Sequence, residues 1–99
     1  MSTNQSAERI LTVLDLLLMH TVNGLTNTEI VKATGYTAPN VTRYVATLES
    51  SGWAERIPET NRIRASIRVA QRAMTVLNEF DKAQQRLNEM RNRITTPIN

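Results

Sequence analysis

The spacing of apolar residues changes twice along this chain, and each change marks a new element. Ile10, Val13, Leu14, Leu17 and Leu18 recur at helical intervals with Glu8, Arg9, Thr12 and Asp15 opposite them. This predicts a first helix from Ser6 that is buried on one stripe and ends between Thr21 and Gly24, after a polar, frayed start over residues 1–5. Thr26-Asn27-Thr28-Glu29 then has the spacing of a capping box, with Leu25 before it as a staple residue, and Ile30, Val31 and Ala33 follow until Gly35 stops a short second helix. Between Gly35 and Gly52, Val41, Val45 and Leu48 recur at i, i+4 and i+7, so a third helix has one apolar face while Asn40, Thr42, Arg43 and Thr47 point away from it. Thr37 is placed to cap that helix. Pro39 suits its first turn, where backbone amides have no acceptor within the helix.

After Gly52 the period falls to two. Trp53, Glu55 and Ile57 alternate with Ala54 and Arg56, Pro58-Glu59-Thr60-Asn61 supplies turn chemistry, and Arg62 to Ile67 alternates again. The expected hairpin packs Trp53, Ile57, Ile63 and Ile67 on the helices and leaves Arg56, Arg62 and Arg64 on its other face or at its tip.

The helical period then returns from Arg68 to Ile94 without Gly or Pro, a length of about 40 Å. Val69, Ala73, Val76, Phe80, Ala83, Leu87, Met90 and Ile94 alternate steps of four and three, an unbroken heptad seam. Ala70, Met74 and Leu77 widen the stripe in the first half, which is therefore expected to pack on its own domain while the second half meets a partner. In a parallel pair Arg86 would face Arg91 and Glu79 would face Gln84, neither of which selects that arrangement. In an antiparallel pair Glu79 could meet Arg86, so the charges lean that way or toward packing across domains; a monomeric helix folded back on the first helix is the alternative. Thr95 to Asn99, with Pro97, ends the helix.

Two short helices joined by a Gly-containing turn, the second with a polar leading edge, make a helix-turn-helix, and a hairpin directly after it makes a wing. The predicted fold is mainly α with a small β-hairpin: a winged helix-turn-helix domain over residues 1–67 and a long C-terminal helix over residues 68–99 for oligomerisation or partner binding.

Composition narrows the function. The chain has 99 residues, one domain's worth, and only four are aromatic, so the core must come from aliphatic side chains with Trp53 as a packing anchor. Twelve basic against nine acidic residues give a formal +3, with pI near 10.0. Ten of the twelve are arginine, suited to bidentate pairing with phosphate or guanine, although a solvated basic surface would look the same in composition. There is no cysteine, hence no disulfide or thiolate metal site. The lone His20 has no partner at ligand spacing and reads as a helix-end surface residue. No paired carboxylates, Ser-His-Asp set or Gly-rich phosphate loop is present, so an enzyme is not expected and no cofactor is implied. Leu11 to Met19 is too short for a membrane span and lacks a cleavage pattern, which makes a cytoplasmic protein the default.

Gly24-Leu25-Thr26 through Arg64 resembles the N-terminal DNA-binding domain of IclR-type transcriptional regulators. The resemblance rests on Ser6-Ala7-Glu8-Arg9-Ile10-Leu11, Tyr44-Val45-Ala46-Thr47-Leu48-Glu49, Gly52, Glu55-Arg56 and Pro58-Glu59-Thr60 with Arg62 and Arg64, and it covers residues 6 to about 67. It implies a winged helix that binds operator DNA as a dimer, with positions matching Ala38, Pro39, Asn40, Thr42 and Arg43 in the groove and the wing on the backbone. Ala38-Pro39-Asn40 departs from the serine or lysine, then threonine, usual in that family, and Asn61 stands where its wing glycine would be, a residue that also tolerates a left-handed turn. The family's effector-binding domain has no counterpart here, so no small-molecule effector is inferred.

The expected function is sequence-specific binding of double-stranded DNA by a homodimer joined through the C-terminal helix. Asn40 would read adenine and Arg43 guanine, unless Arg43 pairs with Glu49 or another carboxylate. Thr37 and Thr42 would touch phosphate or thymine methyl, with Ala38, Pro39 and Thr47 on the same edge. Lys32, Arg56, Arg62 and Arg64 would hold phosphate, although wing arginines can also serve only to keep an edge strand soluble. Phe80, Ala83, Leu87, Met90 and Ile94 would form the dimer or partner interface. The alternatives are a DNA-binding component of a phage or mobile-element replication or packaging assembly, and a winged helix used for protein interaction alone.

Overall fold

A computed structural model describes residues 2–98. Its elements in chain order are α1 (Gln5–Leu18), α2 (Asn27–Thr34), α3 (Ala38–Ser50), β1 (Ala54–Arg56), β2 (Ile63–Ala65) and α4 (Ile67–Thr95). This is a mainly helical winged helix-turn-helix, and compactness divides it between Val69 and Ala70.

The first unit is built around one aliphatic cluster. Val13 and Leu17 of α1, Ile30 of α2, and Val41, Tyr44, Val45 and Leu48 of α3 close on Leu25, Ala54, Ile63 and Ala65. Among the described residues no polar or charged residue is buried with them, and each fully buried Leu, Ile or Val contributes roughly 1.5–3 kcal/mol of transfer free energy. Tyr36 adds an edge-on ring against Tyr44, centroids 6.0 Å apart.

α1, α2 and α3 each start on a side-chain cap. Asn4 accepts from the Ala7 amide at 3.0 Å, and Thr37 accepts from that of Asn40 at 3.4 Å with Pro39 in the first turn of α3. At α2 the capping box is complete: the Glu29 amide donates to Thr26 Oγ1 at 3.1 Å and the Thr26 amide donates to Glu29 Oε1 at 2.9 Å. Gly35 ends α2 at φ +76°, with its N–H on the Val31 carbonyl.

Three sequence expectations need correction here. The first helix ends at Leu18, and Met19 to Asn23 form turns instead, with the His20 amide on the Leu17 carbonyl at 3.0 Å. Leu18, the last residue of the helix, is exposed while Leu16 is half-buried.

The second correction is the buried face of the hairpin, which is Ala54, Ile63 and Ala65 rather than Trp53, Ile57, Ile63 and Ile67. In the antiparallel register Ala54 pairs with Ala65, Glu55 with Arg64 and Arg56 with Ile63. Two alanines facing each other allow the ribbon to approach the helices closely. Trp53 and Ile57 are half-buried at its margins, and Ile67 is 70% exposed because it already belongs to α4.

Leu25, expected as a staple residue, also joins the hairpin. It exchanges both backbone hydrogen bonds with Ile63, at 2.7 and 2.8 Å, as a one-residue third strand. Gly24 precedes it at φ +68°, and a Cβ there would lie 2.6 Å from the Ile63 carbonyl oxygen.

The last concerns α4. Val69 packs on the core of the first unit, while Ala70, Met74 and Leu77, expected to pack likewise, belong to the second unit. Periodicity identifies an apolar face without identifying what covers it. The second unit is this helix from Ala70 onward, with Ala83 half-buried and the rest of its described residues exposed.

Candidate nucleic-acid interface

The burial of α3 on one face fixes what its other face presents. With Val41, Tyr44, Val45 and Leu48 in the core, Pro39, Thr42, Arg43, Ala46, Thr47 and Ser50 form one exposed stripe along the helix, with Ala38 exposed at its start. A helix of ~10–12 Å diameter matches the ~12 Å width of the DNA major groove, and this stripe carries hydrogen-bond donors and methyl groups, the kinds of group that base edges can meet.

Internal hydrogen bonds prearrange the stripe. The Arg43 Nη2 donates to Asn40 Oδ1, so the two expected base readers hold each other. The Thr42 hydroxyl donates to the Ala38 carbonyl at 3.0 Å and accepts from Asn27 Nδ2 at 3.1 Å. That commits its hydrogen within the protein and leaves the side chain's methyl as the group free for other contacts. Thr47 likewise donates to the Arg43 carbonyl at 3.0 Å. Thr37 differs, because as a cap it only accepts and its hydroxyl hydrogen is available.

Asn27, which no sequence motif singles out for this site, also joins it. As the first residue of α2, its amide bridges to Thr42 and ties α3 to α2; its place next to the Thr26 cap was the available signal.

The wing arginines are all engaged within the chain. Arg62 Nη2 lies 2.7 Å from Glu29 Oε1, and the same guanidinium donates to the Asn23 carbonyl at 3.0 Å and the Gly24 carbonyl at 3.1 Å. Arg56 Nε pairs with Glu49 Oε1 at 3.3 Å, and Arg64 Nη2 with Glu55 Oε2 at 3.5 Å. Glu49 therefore pairs with Arg56, and the expected alternative of an Arg43–Glu49 pair is corrected: Glu49 lies at the wing end of α3, and Arg43 turns toward Asn40. Among the described residues Arg43 and Lys32, both exposed, have no carboxylate partner in an ion pair.

The carboxyl of Glu29 titrates below its ordinary range. The Thr26 amide first, then the Thr26 hydroxyl and the Arg62 charge, hold its carboxyl below the ordinary value of 4.5 against a smaller opposing effect of desolvation. Glu55 closes the other end of the wing, accepting from the Ile67 amide at 3.2 Å at the start of α4. Arg68 donates to the Ser51 carbonyl at 2.9 Å and lies 5.5 Å from the Trp53 ring centroid.

Phe80, Leu87, Met90 and Ile94 are exposed along α4, with Ala83 between them half-buried. Among the described residues no three potential metal ligands cluster, and no helix is long and apolar enough to cross a membrane.

Comparison with known proteins agrees with this fold. No curated protein sequence matches the chain. The crystal structure of Pseudomonas aeruginosa HmgR is similar to it with a TM-score of 0.66 at 23% identity, over 76% of this chain and 30% of HmgR. At that identity the likeness establishes the fold, and the chain corresponds to less than a third of HmgR's length. The sequence pattern of the IclR helix-turn-helix domain matches residues 6–58, which takes in α1, the helix-turn-helix and the first strand of the wing. With more than half of its residues inside that match, the chain belongs to the IclR helix-turn-helix family, a family of DNA-binding transcription regulators.

Proposed function

We propose that this protein is a cytoplasmic, sequence-specific regulator that binds double-stranded DNA as a homodimer, with α3 in the major groove and the wing on the backbone. The observation that carries the reading is the exposed stripe of α3, polar and cationic, opposite a face wholly committed to the core. Arg43 is the guanine reader, since its fork matches the paired acceptors of that base, and Thr42 offers its methyl to thymine. Asn40 contacts adenine or supports Arg43. Ala38, Pro39 and Thr47 line the same edge. Thr37 and Lys32 reach phosphate. Arg56 and Arg64 attract phosphate while held by carboxylates, and Arg62 acts chiefly by holding the wing against α2.

Dimerisation is supported by the heptad seam of α4, whose Phe80, Leu87, Met90 and Ile94 stand exposed, with Ala83 completing the seam. Winged-helix contacts alone make a small footprint, and two copies on an inverted repeat double it.

The test is selection from a pool of random duplexes at two salt concentrations, with sequencing of what the protein retains. Enrichment of an inverted repeat whose affinity falls steeply with salt is the expected result. Retention without an enriched motif would sink sequence specificity, and no retention at moderate salt would sink DNA binding.

A further inference from the structure

Resting on the homodimer reading above, we infer that two copies of α4 pair antiparallel about a two-fold axis between Asp81 and Lys82, in the single register that sets Phe80 of each copy against Ala83 of the other. Val69 is spent on the core of its own unit, so the free seam begins at Ala73. Ala73, Phe80 and Leu87 occupy one core position of the heptad and Val76, Ala83 and Met90 the other. In an antiparallel pair each residue of the first kind faces one of the second.

Side-chain size then selects the register. About the Asp81/Lys82 midpoint, Ala73 faces Met90 of the second copy, Val76 faces Leu87 and Phe80 faces Ala83, and the symmetry repeats all three. Both seam alanines meet a large side chain, and both of the largest residues meet a small or medium one. A parallel pair would set Phe80 on Phe80, Ala83 on Ala83 and Ala73 on Ala73, alternating crowded layers with empty ones, and both faults destabilise a core.

Charge agrees with size. In this register Glu79 faces Arg86 of the second copy on each side of the axis. Glu79 is 3.5 Å from Lys82 of its own helix, and both are exposed, so its carboxylate has capacity for a second partner. Arg72 and Arg93 face each other only toward the ends of the seam, in solvent where screening is strongest. The parallel alternative places Arg86 against Arg91 twice and offers no opposite-charge pair.

The chain contains no cysteine, so Lys82→Cys and Asn92→Cys each accept one spin label on the outer side of the helix. In the full-length dimer, labels at residue 82 should lie within about 20 Å of each other. Labels at residue 92 should be about 30 Å apart or more, since 21 residues of helix separate the two sites along the axis at ~1.5 Å each. Equal short distances at both positions would mean a parallel pair and overturn the inference. A dimer by sedimentation with no short distance at residue 82 would also overturn it, while leaving dimerisation intact. A monomer at the labelling concentration would overturn the inference and the dimer reading together.

A residue swap checks the register separately. Phe80→Ala and Ala83→Phe should each weaken dimerisation at least about tenfold, and the double variant should recover most of the loss, because it only exchanges the members of one layer. A double variant no better than the singles overturns the register.

Discussion

Arg62 and Glu29 meet at 2.7 Å across the junction of wing and α2, and through them the capping box and the hairpin become one structure. Glu29 accepts from the Thr26 amide as well as from Arg62, and Arg62 also holds the carbonyls of Asn23 and Gly24. Arg62→Ala therefore removes three acceptors' partner at once. It is expected to lower the melting temperature by several degrees while leaving the salt dependence of DNA binding nearly unchanged. Arg62→Lys should recover little, since an ammonium lacks the planar fork. Thermal melts and salt titrations of the same variants check this.

The same cluster responds to acid. The folded-state pKa of Glu29 is depressed, so its contribution to stability is full above the ordinary value of 4.5 and is lost as pH falls through the lower folded value. Glu29→Gln removes that contribution. Urea midpoints measured from pH 7 to pH 3 are expected to fall more steeply for the wild type than for the variant, the two curves converging at the acid end.

Gly24 is held at φ +68° with no room for a side chain. Gly24→Ala combines a left-handed backbone with a clash against the Ile63 carbonyl, and it should cost more than the ~1 kcal/mol of the backbone strain alone. The Leu25–Ile63 bridge should open with it, seen as faster hydrogen exchange at those two amides.

Leu17 is fully buried where α1 crosses the helix-turn-helix. Leu17→Ala should destabilise by about 2–5 kcal/mol through lost transfer energy and the cavity left behind. Leu11→Ala, on the exposed side of the same helix, should stay within ~0.5 kcal/mol. Chemical denaturation of the pair separates burial from helix propensity.

On DNA, Arg43→Ala is expected to cost about 1–3 kcal/mol and to relax preference at one base position of the enriched site. Lys32→Ala should weaken binding to all sequences alike and lower the salt slope by about 1. Binding isotherms on the selected site and on scrambled duplex distinguish the two roles.

The sequence alone determined the local elements. Capping residues, stop signals and hydrophobic period are written within a few residues of where they act, so the Thr26–Glu29 box, the Thr37 cap with Pro39, the Gly35 stop and the uninterrupted α4 could be read directly. The outward face of α3 was legible for the same reason, because its buried face is periodic. Only the tertiary structure decided which long-range partners those elements took. The Arg62–Glu29 pair spans 33 positions and the Leu25–Ile63 bridge joins segments 38 apart, and no periodicity encodes such meetings. The choice of Ala54 and Ala65 over Trp53 and Ile67 for the buried wing face came from how closely the ribbon approaches the helices. Pairing of the wing arginines with carboxylates was hidden for the same reason. A charge is visible in the sequence, but what neutralises it depends on which chain segments fold next to each other.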